Sequence, residues 1–341
     1  MVSLNKILLL SMLVAAACAC RSGSSTVEND RRESAMTRAK IAVWIDTDPS
    51  ISSGEREVDD GFALIQAFNS PELEIRGVSV VFGNAPFDVA WPIGQEIVRK
   101  YGPPDLPIFA GAARADQLGE ETDASRALAQ ALKTEKLTIL ALGPVTNVAT
   151  VLKNHPDLSD RIEAIVAVAG RRPNQRFVAG TKKHAPFRDL NFEMDAPGFQ
   201  ALLDSKAPIV LAPWEVSSKV WLKDDDLIQL AAGKPSAQWL APPGRDWLKV
   251  WQEKFGTDGF NPFDTLAIAY VTSPELLEWE DLPCEIQTLP DDRAQAGEKS
   301  PMKPYLLVAK DLASRRTVRY CHTPKPAFKV DLMSRLLKTG R

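Results

Sequence analysis

The stretch Ile41-Ala42-Val43-Trp44-Ile45-Asp46-Thr47-Asp48-Pro49 decides the fold. Its first five residues form an apolar, partly β-branched run of the kind that makes a strand buried on both faces. Acids follow at its carboxyl end, and eleven residues after Asp48 comes the pair Asp59-Asp60. In open α/β sheets the ligand crevice lies outside the carboxyl ends of the strands. Four carboxylates gathered there repel one another unless protons are shared or a hard cation lies between them, and clustered Asp oxygens are the usual ligands of Ca²⁺ or Mg²⁺. The first expectation is therefore a metal site in an enzyme acting on a sugar or a phosphate.

Outward from that strand the pattern alternates. Strands are expected at Ile41–Ile45, Glu74–Val81, Leu137–Leu140, Ala164–Val168 and Ile209–Leu211. Helices are expected at Gly61–Asn69, Pro86–Tyr101, Ala124–Lys133, Val145–Asn154 and Pro197–Ser205. This predicts an α/β fold: an open, doubly wound, mostly parallel sheet with helices on both faces. A closed β/α barrel would need eight regular units, and fewer are present before the pattern breaks. After Trp214 the chain turns helical, at Lys223–Ala232, Trp239–Phe255 and Thr265–Val271. Small antiparallel strands are expected at Glu285–Leu289, Tyr305–Ala309 and Thr317–Tyr320, then a last helix at Val330–Lys338.

The chain has 341 residues, 45% hydrophobic and 25% charged, with a formal net charge of −3. That charge gives no electrostatic footprint for nucleic acid. Lys6 precedes an apolar run from Ile7 to Ala17, too short to span a bilayer, and Cys18 and Cys20 follow. This is the layout of a signal peptide over residues 1–20, with Cys18 at a lipoprotein-like cleavage site and Cys20, or ordinary cleavage after Ala19, as the alternatives. Residues 21–38 read as a tether and 39–341 as the catalytic domain. The expected location is exported, periplasmic or cell-envelope, with membrane attachment only through the N-terminal lipid. Whether Cys284 and Cys321 pair is left open by the sequence.

Further acids and amides punctuate the chain. Asp264, in Asn261-Pro262-Phe263-Asp264, heads a helix that is apolar on every side, so its carboxylate is costly there unless paired or metal-bound; alone, it also reads as a helix N-cap. Phe82-Gly83-Asn84 follows the second strand. Leu142-Gly143-Pro144-Val145-Thr146-Asn147 follows another, in a loop that leaves free carbonyls. Asp189-Leu190-Asn191-Phe192-Glu193-Met194-Asp195 follows a polar loop, and in extended chain Asp189 and Asn191 would face the same way.

In this order, the five segments resemble the inosine-uridine preferring nucleoside hydrolases, from about residue 40 to the C-terminus. The resemblance implies Ca²⁺ held by Asp48, Asp60 and Asp264 and by the Leu142 carbonyl. It implies Asp59 as the general base, Asn84 on ribose hydroxyls, Asp189 and Asn191 on the 3′ and 5′ side of the sugar, and Asp46 behind them. The implied reaction is hydrolysis of the N-glycosidic bond of a ribonucleoside, purine or pyrimidine, in a homo-oligomer. Four features depart from the family pattern. Nine residues, Ser50 to Val58, separate Pro49 from Asp59 where two are usual; such a loop either covers the pocket or lies on the surface, and the surface is the simpler reading. Phe263 stands where a His is frequent, so it is expected to stack on the base. His184 is then the nearest alternative proton donor, although as a loop histidine it reads more simply as exposed. Asp189 replaces a Glu, and Lys183 stands near the 5′ side, where a solvated lysine is the simpler reading.

Two other readings compete. A haloacid-dehalogenase-like phosphatase would use Asp46 as nucleophile. A non-catalytic nucleoside- or sugar-binding lipoprotein would keep the acidic cradle without turnover.

Overall fold

A computed structural model describes residues 39–54, 57–294 and 300–338. The leader and tether read from the sequence lie outside the described residues. In chain order the principal elements begin with β1 (Ile41–Thr47), α1 (Asp59–Phe68), β2 (Leu73–Val80), α2 (Phe87–Tyr101) and β3 (Ile108–Ala110). Then come α3 (Asp123–Thr134), β4 (Leu137–Ala141), α4 (Thr146–Asn154), β5 (Ile162–Ala167), α5 (Leu190–Met194), α6 (Ala196–Asp204) and β6 (Ile209–Leu211). The remainder is α7 (Trp214–Ser217), β7 (Leu222–Lys223), α8 (Asp224–Ala231), α9 (Pro235–Phe255), β8 (Gly259–Phe260), α10 (Thr265–Thr272), β9 (Leu277–Pro290), β10 (Met302–Val308), β11 (Thr317–Pro324) and α11 (Ala327–Leu337).

The strands run β10-β9-β11-β6-β5-β4-β1-β2-β3 across one sheet. From β3 to β6 every pair is parallel, and β11 joins β6 in parallel. Side chains alternate between two cores as the pleat requires. On β1, Val43 and Ile45 pack into the layer that includes α1 and α10, while Trp44 enters the opposite layer with Leu128, Val148 and Phe199. The same alternation separates Val166 from Ile165 on β5 and Val210 from Leu211 on β6. A sheet with a hydrophobic layer on each face is the doubly wound architecture expected. The order 3-2-1-4-5-6 reverses between β1 and β4, which is the switch point where such sheets open a crevice.

The antiparallel strands expected near the C-terminus are present, one of them longer than expected, and the open question of the two cysteines is answered. β9 is a 14-residue strand rather than a short one, and it pairs antiparallel with both β11 and β10 to extend the main sheet. Cys284 and Cys321 are both free and buried. They lie on the neighbouring strands β9 and β11, but Cys321 faces Trp279 and the Cys284 N–H bonds the Arg316 carbonyl, so five residues of register separate them. At about 3.4 Å per residue they are out of disulfide reach. Burial pushes both thiols up to about 12.

Candidate active site

Because β1, β2, β4 and β5 are parallel and adjacent, their carboxyl ends deliver Asp46–Asp48, Gly83-Asn84, Leu142 and Val168 to one edge of the sheet. Asp46 stays inside the sheet. Its Oδ1 accepts from Ser79 Oγ at 2.5 Å and from Asn147 Nδ2 at 2.8 Å, and burial pushes it up to about 7. Asp46 is fully buried and does not line the cavity described below, so it is poorly placed as a phosphatase nucleophile.

Asp48 occupies a slot made by two glycines. A Cβ on Gly83 would overlap Asp48 Oδ2, and a Cβ on Gly143 would stand 2.7 Å from Asp48 Oδ1. The Asn84 backbone N–H donates to Oδ2 at 2.6 Å. Oδ1 is buried with no hydrogen-bond partner.

Asp59 and Asp60 open α1, where the helix N-terminus favours negative charge by about 0.3–1 kcal/mol. Asp60 is held from three sides: it accepts from Thr47 Oγ1, from the Asp48 N–H at 3.1 Å and from Asn84 Nδ2 at 3.1 Å. Asp59 differs, because its Oδ1 is buried and unbonded. Asp264 stands at the N-terminal boundary of α10 but makes no side-chain capping bond, and its Oδ2 is likewise unpartnered. The capping reading of Asp264 therefore fails. One oxygen each of Asp59, Asp60 and Asp264 falls in a group within 4.8 Å. Burial and mutual repulsion push Asp48, Asp59 and Asp264 well above the usual carboxylate range. Buried, unpartnered oxygens that converge in this way suit a hard divalent cation, which takes oxygen ligands and relieves the repulsion.

Asp59 and Asp264 line a cavity of about 370 Å³ together with Asn84, Leu142, Asp189 and Asn191. Asp48 and Asp60 lie behind that lining. Asn191 Nδ2 bridges the carbonyls of Leu142 (2.6 Å) and Val168 (3.1 Å), tying α5 to the ends of β4 and β5. Asp189 Oδ2 accepts the Gly170 N–H at 2.9 Å, and burial pushes it up to about 6. The extended segment expected here is instead the start of α5. The Glu193 N–H donates to the Asp189 carbonyl at 2.7 Å and the Asp189 N–H to Glu193 Oε1 at 3.1 Å, closing a helical turn. Both Asp189 and Asn191 still border the cavity.

The other walls are aromatic. Phe263 packs on Trp251, Trp251 on Phe255 and Phe187, Phe187 on Trp214, and Trp214 on Phe177. Trp247, Trp251 and Phe255 recur at i, i+4, i+8 on α9, so one helix face supplies three rings. That spacing was readable in the sequence. Thr47, Ser79 and Glu57 carry no comparable signal.

His184 requires correction. It lies outside the lining of this cavity and borders a neighbouring one with the exposed Lys183. Both ring nitrogens face backbone carbonyls, Nδ1 at 2.6 Å from Ala185 and Nε2 at 2.9 Å from Ala179, so the side chain is committed to its own loop. The insertion Ser50–Val58 is corrected in part. Ser52 and Gly54 are exposed, but Ser50, Ile51 and Val58 are buried, and Glu57 lines the cavity.

The fold is shared with nucleoside-cleaving enzymes. A plant nucleoside hydrolase superposes with a TM-score of 0.70 at 20% identity, covering 87% of this chain and 99% of that one. A purine-preferring ribonucleoside hydrolase from Gardnerella vaginalis gives 0.66 at 20% identity, covering 86% and 98%. In sequence, the chain is 27% identical to uridine nucleosidase 1 of Arabidopsis thaliana over 273 residues, 72% of this chain and 77% of that protein. It is also 27% identical to a pyrimidine-specific ribonucleoside hydrolase of Citrobacter koseri over 247 residues, 64% and 77%. The family model described as inosine-uridine preferring nucleoside hydrolase matches residues 43–319. The chain belongs to that family of hydrolases acting on N-glycosyl bonds. The phosphatase and pure binding-protein readings find no support in these relatives.

Proposed function

We propose that this protein is a Ca²⁺-dependent ribonucleoside hydrolase that releases a free base and ribose. The observation that carries the reading is the convergence of Asp59, Asp60 and Asp264 within 4.8 Å beside a cavity walled by aromatic rings. Asp48, Asp60, Asp264 and the Leu142 carbonyl would hold the cation. Ca²⁺ suits them better than Mg²⁺, because it accepts six to eight oxygens in flexible geometry, whereas Mg²⁺ demands a near-ideal octahedron and keeps several waters. Bound there, it would anchor ribose hydroxyls and make an attacking water more acidic.

The chain's own groups do the rest. Asp59, with its uncommitted oxygen, takes the proton from the attacking water as general base. Asn84 orients the sugar from one side, Asp189 and Asn191 from the other. As the C1′–N bond breaks, positive charge develops on the sugar, and the neighbouring carboxylates stabilise it more than they stabilise the neutral substrate. Phe263, Trp247 and Phe255 line the cavity and are only partly buried, so they offer faces on which a purine or pyrimidine stacks. The names of the relatives make uridine the first substrate to try.

The test is product analysis with uridine, cytidine, inosine and adenosine. Equimolar base and free ribose, unaffected by added phosphate, support hydrolysis. A requirement for phosphate, or no cleavage of any nucleoside, would contradict it. We also propose export through the N-terminal leader, lipidation at Cys18 and a homo-oligomer. Cell fractionation with Cys18→Ser and light scattering of the purified protein test these points.

A further inference from the structure

The segment between Pro49 and Asp59 is built into the site. Ile51 packs against Gly61 so closely that a Cβ on the glycine would stand 2.6 Å from Ile51 Cδ1. Ser50 Oγ donates to the Glu57 carbonyl at 2.9 Å and closes the neck of the loop. Val58 is buried on the other side of the neck. Glu57 is thereby pinned two residues ahead of Asp59, with its side chain on the cavity wall beside Asp59, Asn84 and Asp264. Its carboxylate adds to the repulsion at Asp59 and Asp60 and more weakly at Asp48 and Asp264; it stands outside the three acids whose oxygens lie within 4.8 Å of one another, and it pairs with no Lys, Arg or His among the described residues.

An anchored loop that presses a fifth carboxylate towards four others is unfavourable by itself. The unpartnered buried oxygens of Asp59 and Asp264 in the same wall independently mark where a cation is wanted. We propose that Glu57 is an additional carboxylate ligand of the divalent cation, contributed by the Ser50–Val58 insertion. The role rests on the Ca²⁺ reading above. In physical terms it raises the ligand charge, which tightens binding of a hard cation.

Calcium titration calorimetry on the chelator-stripped full chain, paired with thermal unfolding, tests it. Glu57→Gln keeps the side chain's size and removes its charge. It is expected to weaken the Ca²⁺ Kd at least tenfold and to raise the Tm of the metal-free protein, while Glu57→Asp keeps part of the affinity. If wild-type protein binds Ca²⁺ and Glu57→Gln binds it with the same Kd, this proposal is overturned and the Ca²⁺ reading stands. If wild-type protein binds no Ca²⁺, both are overturned. Should Glu57→Gln fail to fold, Ser50→Ala opens the neck instead and carries the same Kd comparison.

Discussion

The backbone N–H of Asn84 donates to Oδ2 of Asp48 at 2.6 Å, a bond between the ends of β2 and β1 that exists only because residue 83 has no side chain. Asp48 is thus fixed by steric absence as much as by hydrogen bonding. Gly83→Ala would drive a methyl group into the carboxylate. Overpacking of this kind costs about 1–3 kcal/mol. We expect a stability loss of that size in urea unfolding and a Ca²⁺ affinity reduced more than tenfold. A variant with unchanged affinity would show that Asp48 does not hold the cation.

Asp59 and Asp264 share the same group of acids but are assigned different work. Asp59→Asn should lower kcat by about 10²–10⁴-fold, the usual contribution of a general base, with a small change in Ca²⁺ affinity. Asp264→Asn should lower both kcat and affinity. Titration calorimetry beside steady-state kinetics separates the two. An Asp59→Asn protein with near-normal kcat and lost Ca²⁺ binding would make Asp59 a ligand instead.

Several buried acids set a pH dependence of stability. Asp46 is pushed up to about 7, and Asp189 and Asp195 to about 6, each chiefly by burial. Folded pKa values above the unfolded ones mean that the native state binds more protons in between. Stability is therefore full below about pH 4 for these groups and is lost as pH rises through 6 and 7, by up to about 1.4 kcal/mol per pH unit per group. The metal-free protein should have a higher Tm at pH 5 than at pH 8. Ca²⁺ should stabilise it most at pH 8, because ligands bind metal in their deprotonated form. A metal-free Tm that rises from pH 5 to pH 8 would contradict this.

Phe263 is half-buried, in contact with Trp251, and borders the cavity. Losing an aromatic partner for the base removes about 0.5–1.5 kcal/mol, so Phe263→Leu should raise KM about two- to tenfold. The change should be larger for inosine than for uridine, because a purine offers more ring to stack. Equal or smaller effects on the purine would place the base elsewhere along the aromatic wall.

Much of this site was legible from strand ends. The runs before Asp46, Gly83 and Leu142 gave their own strands, and in a parallel sheet strand ends converge by topology. What stayed hidden depends on long-range packing. The alternating cores that place β1 between β2 and β4 are a property of pairing order, which no single segment states. Thr47 and Asn147 stand in stretches that the sequence singles out, but which acid each one holds, Asp60 and Asp46, is decided by packing. His184 attracted attention as a titratable ring in the right loop, yet its nitrogens are turned to that loop's own carbonyls. Glu57 was lost among neighbouring charges in an insertion that reads as surface, because burial of its neck by Ile51 and Val58 is a tertiary fact.

The central claim is that a cation in the carboxylate cradle powers cleavage of the N-glycosidic bond. The most direct test is ribose release from a nucleoside panel by the chelator-stripped full chain, before and after adding back Ca²⁺. The account predicts no release without metal, recovery with Ca²⁺, and no recovery in Asp59→Asn. Release that is indifferent to the chelator, or stripped protein that rebinds Ca²⁺ and still cleaves nothing, would contradict it.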